Sequence, residues 1–149
     1  MRTLIAGFGN VLRGDDGFGS AVIRRLETEP LEHETDLLDA GIGGLHLARQ
    51  LLSGYDRVIV IDAMVRGGAP GTLYLQRVTD VEPEERIDPH LARPATALGL
   101  AKTLGALPPD VLLVGCEPAV LEEPTLELSP SVQAAVEPAA RHVLALLRE

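Results

Sequence analysis

The sequence contains almost no cysteine. The 149 residues contain one cysteine, Cys116, which excludes a disulfide within the chain and a cysteine-rich zinc site. Low cysteine usage is typical of a reducing compartment. The length fits one domain, which we expect to span residues 1–149, and a domain of this size buries enough surface to fold without such crosslinks.

Aromatic residues are also scarce, and acidic residues outnumber basic ones. Aromatics make up 3% of the chain, tryptophan is absent, and the formal net charge is −9. An acidic surface repels the phosphate backbone of nucleic acids, and with so few aromatic side chains their bases have little to stack on. We therefore expect no nucleic-acid binding. No apolar run reaches the ~20 residues of a membrane span, and the first ten residues lack a signal-peptide core. The sequence therefore predicts a cytoplasmic protein without a membrane partner.

Apolar runs and helical spacings alternate along the chain. The runs predict five strands, at 3–8, 35–40, 57–63, 72–78 and 111–116, and the spacings predict helices at 16–27, 44–53, 95–105 and after Ser129–Pro130. This order predicts an α/β domain whose mostly parallel sheet has helices on both faces. The connection into 72–78 is too short for a helical crossover, so this strand should be antiparallel to its neighbour.

Several details of the helices are also predicted. Leu45, Ala48 and Leu52 should form the buried face of the second helix, as should Leu98, Ala101 and Leu104 in the third. Ser129 and Pro130 suit the N-cap and first turn of the last helix. Pro138 should kink or interrupt that helix. The polar stretch 79–94 contains three prolines and indicates a long loop.

Acidic residues follow the predicted strands where each strand ends. Asp15 and Asp16 lie on a glycine-rich turn after the first strand, Asp62 ends the third, and Glu117 follows the last. Ligand sites of such sheets lie beyond the carboxyl ends of the strands, and His90 on the long loop is able to reach the same edge. One of the two adjacent aspartates suits a helix cap, which leaves the other free.

Two kinds of chemistry fit these residues. Asp16, Asp62 and His90 offer two carboxylates and one imidazole, a donor set that suits nickel, zinc or iron. Alternatively, two carboxylates at one rim share a proton and activate water, as in aspartic proteases. The residues alone leave both possibilities open.

Three other classes of protein fit the sequence less well. A nucleotide-binding module would use the turn Gly7–Gly19, and Asp39 is present at the second strand end, but Leu12 occupies the third glycine position of G-x-G-x-x-G. A serine hydrolase would need G-x-S-x-G, which is absent. A cysteine hydrolase would need an exposed Cys116, whereas its apolar strand predicts a core position.

The motifs in chain order resemble those of the hydrogenase maturation proteases. The most specific is "GFGNVLRGDDGFG" at 7–19, and the others are "DAGIGGLHL" at 39–47, "VIVIDA" at 58–63, the His90 loop, "VGCEP" at 114–118 and "LSPSVQAAV" at 128–136. Together they span nearly the whole chain. Glu117 departs from a glutamine that is frequent in this family.

The resemblance implies a fold, an activity and a site. The fold would be three-layer α/β/α and phosphorylase/hydrolase-like, with five twisted strands. The enzyme would be a monomeric endopeptidase that removes the C-terminal extension of a nickel–iron hydrogenase large-subunit precursor after nickel insertion. Asp16, Asp62 and His90 would be the metal-binding positions, with Asp16 and Asp62 catalytic. The substrate would present the nickel, so the enzyme itself would purify without metal.

Overall fold

The computed structural model describes residues 1–83, 94–119 and 124–149. Its elements follow the predicted alternation closely. They are β1 (Thr3–Phe8), a 3₁₀ helix (Gly14–Gly17), α1 (Phe18–Leu26), β2 (Thr35–Gly41), α2 (Gly44–Leu51), β3 (Arg57–Ala63), β4 (Leu73–Val78), α3 (Pro94–Thr103), β5 (Asp110–Cys116) and α4 (Pro130–Leu146).

The five strands form one mixed sheet in the order β2-β1-β3-β5-β4. β1 pairs in parallel with β2 and β3, and β3 pairs in parallel with β5. β4 is antiparallel, as predicted, and its partner is β5. The carboxyl ends of β1, β3 and β5 therefore meet at one edge, which carries the acidic residues singled out in the sequence.

Two apolar cores cover the two faces of this sheet. α1 and α4 lie together on one face, and α2 and α3 on the other. Phe18, Val22 and Leu26 of α1 are fully buried, as their spacing predicts. The predicted three-layer α/β/α architecture is thus confirmed.

The predicted inner faces of α2 and α3 were partly wrong. Leu45 and Leu52 are 58% and 56% exposed, and Leu47 and Leu51 are buried in their place. α2 begins at Gly44, and the spacing from that residue directs Leu47 and Leu51 toward the sheet. Leu104 follows the last residue of α3 and is exposed.

The predicted interruption at Pro138 does not occur, because α4 runs from Pro130 through Leu146. Proline removes the backbone hydrogen bond to the residue four positions earlier, here Ala134. Both Pro138 and Ala134 are exposed. Water on that side of the helix is able to bond the freed carbonyl, so the helix continues.

Glycines bring the start of α1 into contact with the sheet. A Cβ atom at Gly19 would lie 2.5 Å from the carbonyl oxygens of Phe8 and Ile61, at the ends of β1 and β3. A Cβ at Gly7 would lie 2.5 Å from the Gly19 carbonyl oxygen. Only glycine fits both positions, and their contact fixes the preceding 3₁₀ helix over the strand ends.

This contact predicts that Gly19→Ala destabilises the protein. The added methyl group must displace backbone atoms of two strands, so we expect a loss of about 1–3 kcal/mol in the free energy of unfolding. Urea denaturation measures this loss. Gly17→Ala is the milder comparison, because its Cβ would lie 3.3 Å from the Val11 Cα, a tight contact rather than a collision, and it should cost less than Gly19→Ala. Equal stability of the two variants would contradict the role of the close contact.

Candidate active site at the carboxyl ends of the strands

Asp16 lies on the 3₁₀ helix that follows β1. Its Oδ2 accepts a hydrogen bond of 2.8 Å from the backbone N–H of Asn10. Gly9 has a φ of 122°, and a Cβ there would collide with the Asp16 carbonyl oxygen. The loop between β1 and the 3₁₀ helix therefore folds back onto Asp16, whose side chain remains partly exposed.

Asp62 occupies the carboxyl end of β3, in register with Gly115 of β5. Its Oδ1 accepts a hydrogen bond of 2.9 Å from the N–H of Ala63. Burial of the carboxyl group, followed by the negative charge of Asp16, raises the pKa of Asp62 to about 8, although the Ala63 bond opposes this shift. At neutral pH Asp62 is therefore mostly protonated and lies within electrostatic range of the Asp16 carboxylate.

Asp15, the neighbour of Asp16, is fully buried. Its Oδ1 accepts a bond of 2.7 Å from the Ser129 N–H, and its Oδ2 accepts bonds of 2.8 Å from the Ala119 N–H and the Ser129 hydroxyl. Neither the 3₁₀ helix nor α1 has a side-chain cap. These hydrogen bonds of Asp15 do not cap the first helix; they brace the entry to α4 instead.

Ser129 is the N-cap residue of α4, with Pro130 in the first turn, as predicted. Its hydroxyl forms no cap bond to the helix and donates to Asp15 instead. The local sequence therefore predicted the start of the helix correctly. It did not predict the hydrogen-bond partner of the Ser129 hydroxyl, which lies 114 residues away.

Glu117 is buried just past the end of β5. Its Oε1 accepts hydrogen bonds from the Tyr74 hydroxyl at 2.7 Å and from the N–H groups of Arg66 at 2.7 Å and Gly68 at 3.0 Å. These bonds, that of Tyr74 foremost, lower the pKa of Glu117. Glu117 thereby fixes the turn that follows Asp62, a role that no local motif indicated because its partners are 43 to 51 residues away.

Cys116 is fully buried in β5, which confirms its predicted core position. Burial, followed by the charges of Asp15 and Glu117, raises the pKa of its thiol to about 11. The thiol is therefore not ionised at neutral pH, and the alternative of a cysteine hydrolase loses its nucleophile.

His90, the third predicted site residue, lies outside the described residues. Within the ranges 1–83, 94–119 and 124–149, no group of three His, Cys, Asp or Glu side chains is placed to hold a metal ion. The described part of the site thus consists of the Asp16–Asp62 pair and the buried acids beside it.

Among the described residues, every helix is too short or too polar to form a transmembrane span.

The fold and the carboxylate pair define an α/β protein suited to hydrolysis. The chain belongs to the hydrogenase maturation protease family, whose family model matches residues 20–146. It is 36% identical to the hydrogenase 2 maturation protease of Escherichia coli K12, over 100% of this chain and 92% of that protein. It is 34% identical to the hydrogenase expression/formation protein HupD of Rhodobacter capsulatus, over 99% of this chain and 71% of that one.

Solved structures agree with this assignment. The hydrogenase maturating endopeptidase HybD of E. coli superimposes with a TM-score of 0.85 at 36% identity, over 99% of this chain and 93% of that one. A hydrogenase 2 maturation peptidase from a Thaumarchaeota archaeon gives 0.77 at 34% identity, over 99% and 98%.

The raised pKa of Asp62 predicts that Asp62→Asn changes the pH dependence of stability. The folded pKa of about 8 exceeds the unfolded value, so the contribution of Asp62 is fully present below about pH 4 and lost as the pH rises through 8. Relative to Asp62→Asn, the wild type should lose up to about 1.4 kcal/mol of unfolding free energy per pH unit across this window. Urea denaturation at pH 5, 7 and 9 measures the difference.

Two further variants sharpen this test. Asp16→Asn removes the neighbouring charge, so it should shift the pH window of Asp62 downward. Asp80→Asn changes an exposed aspartate and should follow the wild type at every pH. A wild-type profile parallel to that of Asp62→Asn would show that Asp62 titrates normally.

Proposed function

We propose that this protein is the endopeptidase that removes the C-terminal extension of a nickel–iron hydrogenase large-subunit precursor after nickel insertion. Family membership supports the proposal, as do the relatives named as hydrogenase maturation proteases. The observation that carries it is the placement of Asp62, with its raised pKa, near charged Asp16 at the strand ends. The proposal includes a single protease domain over residues 1–149, acting as a cytoplasmic monomer.

The carboxylate pair supports a hydrolytic mechanism. Asp16 carries the charge and accepts a proton from water as the water attacks the scissile carbonyl. Asp62 holds a proton and donates it to the carbonyl oxygen as the water attacks. When the C–N bond breaks, the proton that Asp16 took from water passes to the leaving amine, and Asp62 regains its proton from the hydroxyl that collapses to the new carboxyl group. Such a pair requires that its two carboxyl groups differ in pKa. Burial of Asp62 raises its pKa and so supplies the difference.

Nickel enters this proposal as part of the substrate. Asp16, Asp62 and His90 would contact the nickel that the precursor carries, since two carboxylates and an imidazole suit this ion. Contact with the nickel would hold the loaded precursor at the carboxylate pair, where Asp62 keeps its proton for the scissile bond. Cleavage would thereby depend on prior nickel insertion.

The alternative of a nucleotide-binding module finds no support in the geometry. Asp15 and Asp16 precede α1 and would repel phosphate at its N-terminus. Asp39, the acid expected to bind a ribose, accepts a hydrogen bond of 2.6 Å from the Ser20 hydroxyl. Gly19 is pressed against the strand ends, so a pyrophosphate has no space beside it.

The mechanism predicts that Asp16→Asn, Asp62→Asn and His90→Ala each lose processing. We expect activity to fall by about 10²-fold or more, because each change removes a proton-transfer or ligand group. The measurement is the electrophoretic shift of the precursor on cleavage, with circular dichroism as the folding control.

Matched variants separate these losses from general damage. Asp80→Asn and His142→Ala alter exposed residues of the same types and should process the precursor normally. Normal processing by any of the three site variants would remove that residue from the proposed mechanism.

Nickel dependence gives a separate prediction. Metal-free enzyme mixed with nickel-loaded and nickel-free precursor should release the C-terminal peptide from the loaded precursor only. Two carboxylates and one imidazole bind a free ion weakly, whereas the ligands of the precursor complete its coordination. Mass spectrometry of the products measures the release.

Either of two results would contradict nickel gating. Equal cleavage of both precursors would favour an aspartate pair that acts without metal. Cleavage of the nickel-free precursor after zinc is added to the enzyme would favour a conventional metalloprotease, in which the resident ion is the catalyst.

A further inference from the structure

Two cavities lie beside the loop that contacts Asp16. The first, of about 500 Å³, separates α1 from the segment 126–128. The second, of about 360 Å³, lies between the loop 9–12 and the end of β2. Val11, Ser20 and Arg24 line both cavities, so the two form one groove along α1.

Both walls of this groove are fixed to the 3₁₀ helix that carries Asp16. On one side, Asn10 donates to Asp16 and positions the loop 9–12. On the other side, the Thr125 carbonyl accepts a hydrogen bond of 2.9 Å from the Gly14 N–H, and Ser129 is bonded to Asp15. The segment 126–128 is thus held at both ends. Asn10, which lines the second cavity, bonds the Asp16 carboxylate, so the groove adjoins the proposed active site.

The groove has apolar rims, and one positively charged side chain, Arg24, lines both of its cavities. Leu126 is 72% exposed, Leu12 61% and Ile42 59%. Arg24 is exposed and, among the described residues, forms no hydrogen bond or ion pair. Its neighbour Arg25, by contrast, is paired with Glu29 and Glu137. Glu127 and Asp39 also line the groove, one in each cavity, and Asp39 is engaged by Ser20.

We propose that this groove binds the C-terminal extension of the hydrogenase precursor, with apolar side chains against the rims and an acidic side chain on Arg24. The inference rests on the proposed function. The extension is the part of the precursor that becomes a free peptide, so it is able to lie extended beside the cut bond. Arg24 lines both cavities, so a segment that occupies the whole groove passes it and meets it with a side chain rather than with its terminal carboxylate.

Arg24→Glu tests the inference through steady-state cleavage of the nickel-loaded precursor. Loss of the attraction and the new repulsion should raise KM by about tenfold while kcat stays within about twofold, because the charge acts on binding rather than on the reacting bond. Arg24→Lys keeps the charge and should stay within about twofold of the wild type. Arg49→Glu, the same change at an exposed site on α2 outside both cavities, should leave KM unchanged.

A charge exchange identifies the partner residue. Each acidic residue of the extension is replaced by lysine in turn, and one such precursor should restore cleavage by Arg24→Glu while weakening cleavage by the wild type. Circular dichroism checks that Arg24→Glu is folded. If it is not, Arg24→Gln replaces it, with an expected rise in KM of about threefold.

Three results would overturn the inference. The first is a KM for Arg24→Glu equal to that of Arg49→Glu. The second is a wild-type dimer in light scattering that Arg24→Glu dissociates, which would assign the groove to a second copy of the chain. The third is failure of the wild type to cleave loaded precursor, which would overturn the proposed function as well, whereas the first two leave that function intact.

Discussion

The buried carboxylate of Asp15 is the interaction on which the site geometry depends. A buried charge without partners costs several kcal/mol, so its hydrogen bonds are obligatory. Those bonds come from Ala119 and Ser129, residues 104 and 114 positions away. They join the 3₁₀ helix after β1 to the segment after β5 and to the start of α4. Without this brace, three separate chain segments would lose their common anchor at the carboxyl edge of the sheet.

Asp16 gains its position from that brace. Successive residues on a 3₁₀ helix point about 120° apart, so a buried Asp15 leaves Asp16 directed elsewhere, and Asp16 is partly exposed. The contact of Gly19 with the backbone at the ends of β1 and β3 holds the same helix against the strands. Asp16 and Asp62, distant in sequence, therefore come within electrostatic range through backbone packing rather than through a bond between them.

The sequence predicted the sheet well, because near-continuous apolar runs such as 57–63 indicate strands buried on both faces. It also placed Asp16 and Asp62 at the carboxyl edge of the sheet, since Asp16 follows the first predicted strand and Asp62 lies at the end of the third. The partners of Asp15 and Glu117 were not predictable, because each bond joins segments more than forty residues apart and leaves no local pattern. The faces of α2 were misassigned because its leucines allow two helical registers, and only packing against the sheet selects between them.

Asp62 and Glu117 show how local surroundings set the state of acids on neighbouring strands. Glu117 accepts three hydrogen bonds on one oxygen, which favour its charged form and make it a fixed structural anion. Burial of the Asp62 carboxyl group, followed by the negative charge of Asp16, outweighs its one backbone hydrogen bond, so Asp62 holds a proton. Because a glutamine oxygen would accept the same bonds as Glu117, the departure from the frequent family residue leaves the turn intact. An amide side chain at position 62 would have no acidic proton to donate, so Asp62 is the residue that is able to act as the acid in the proposed hydrolysis.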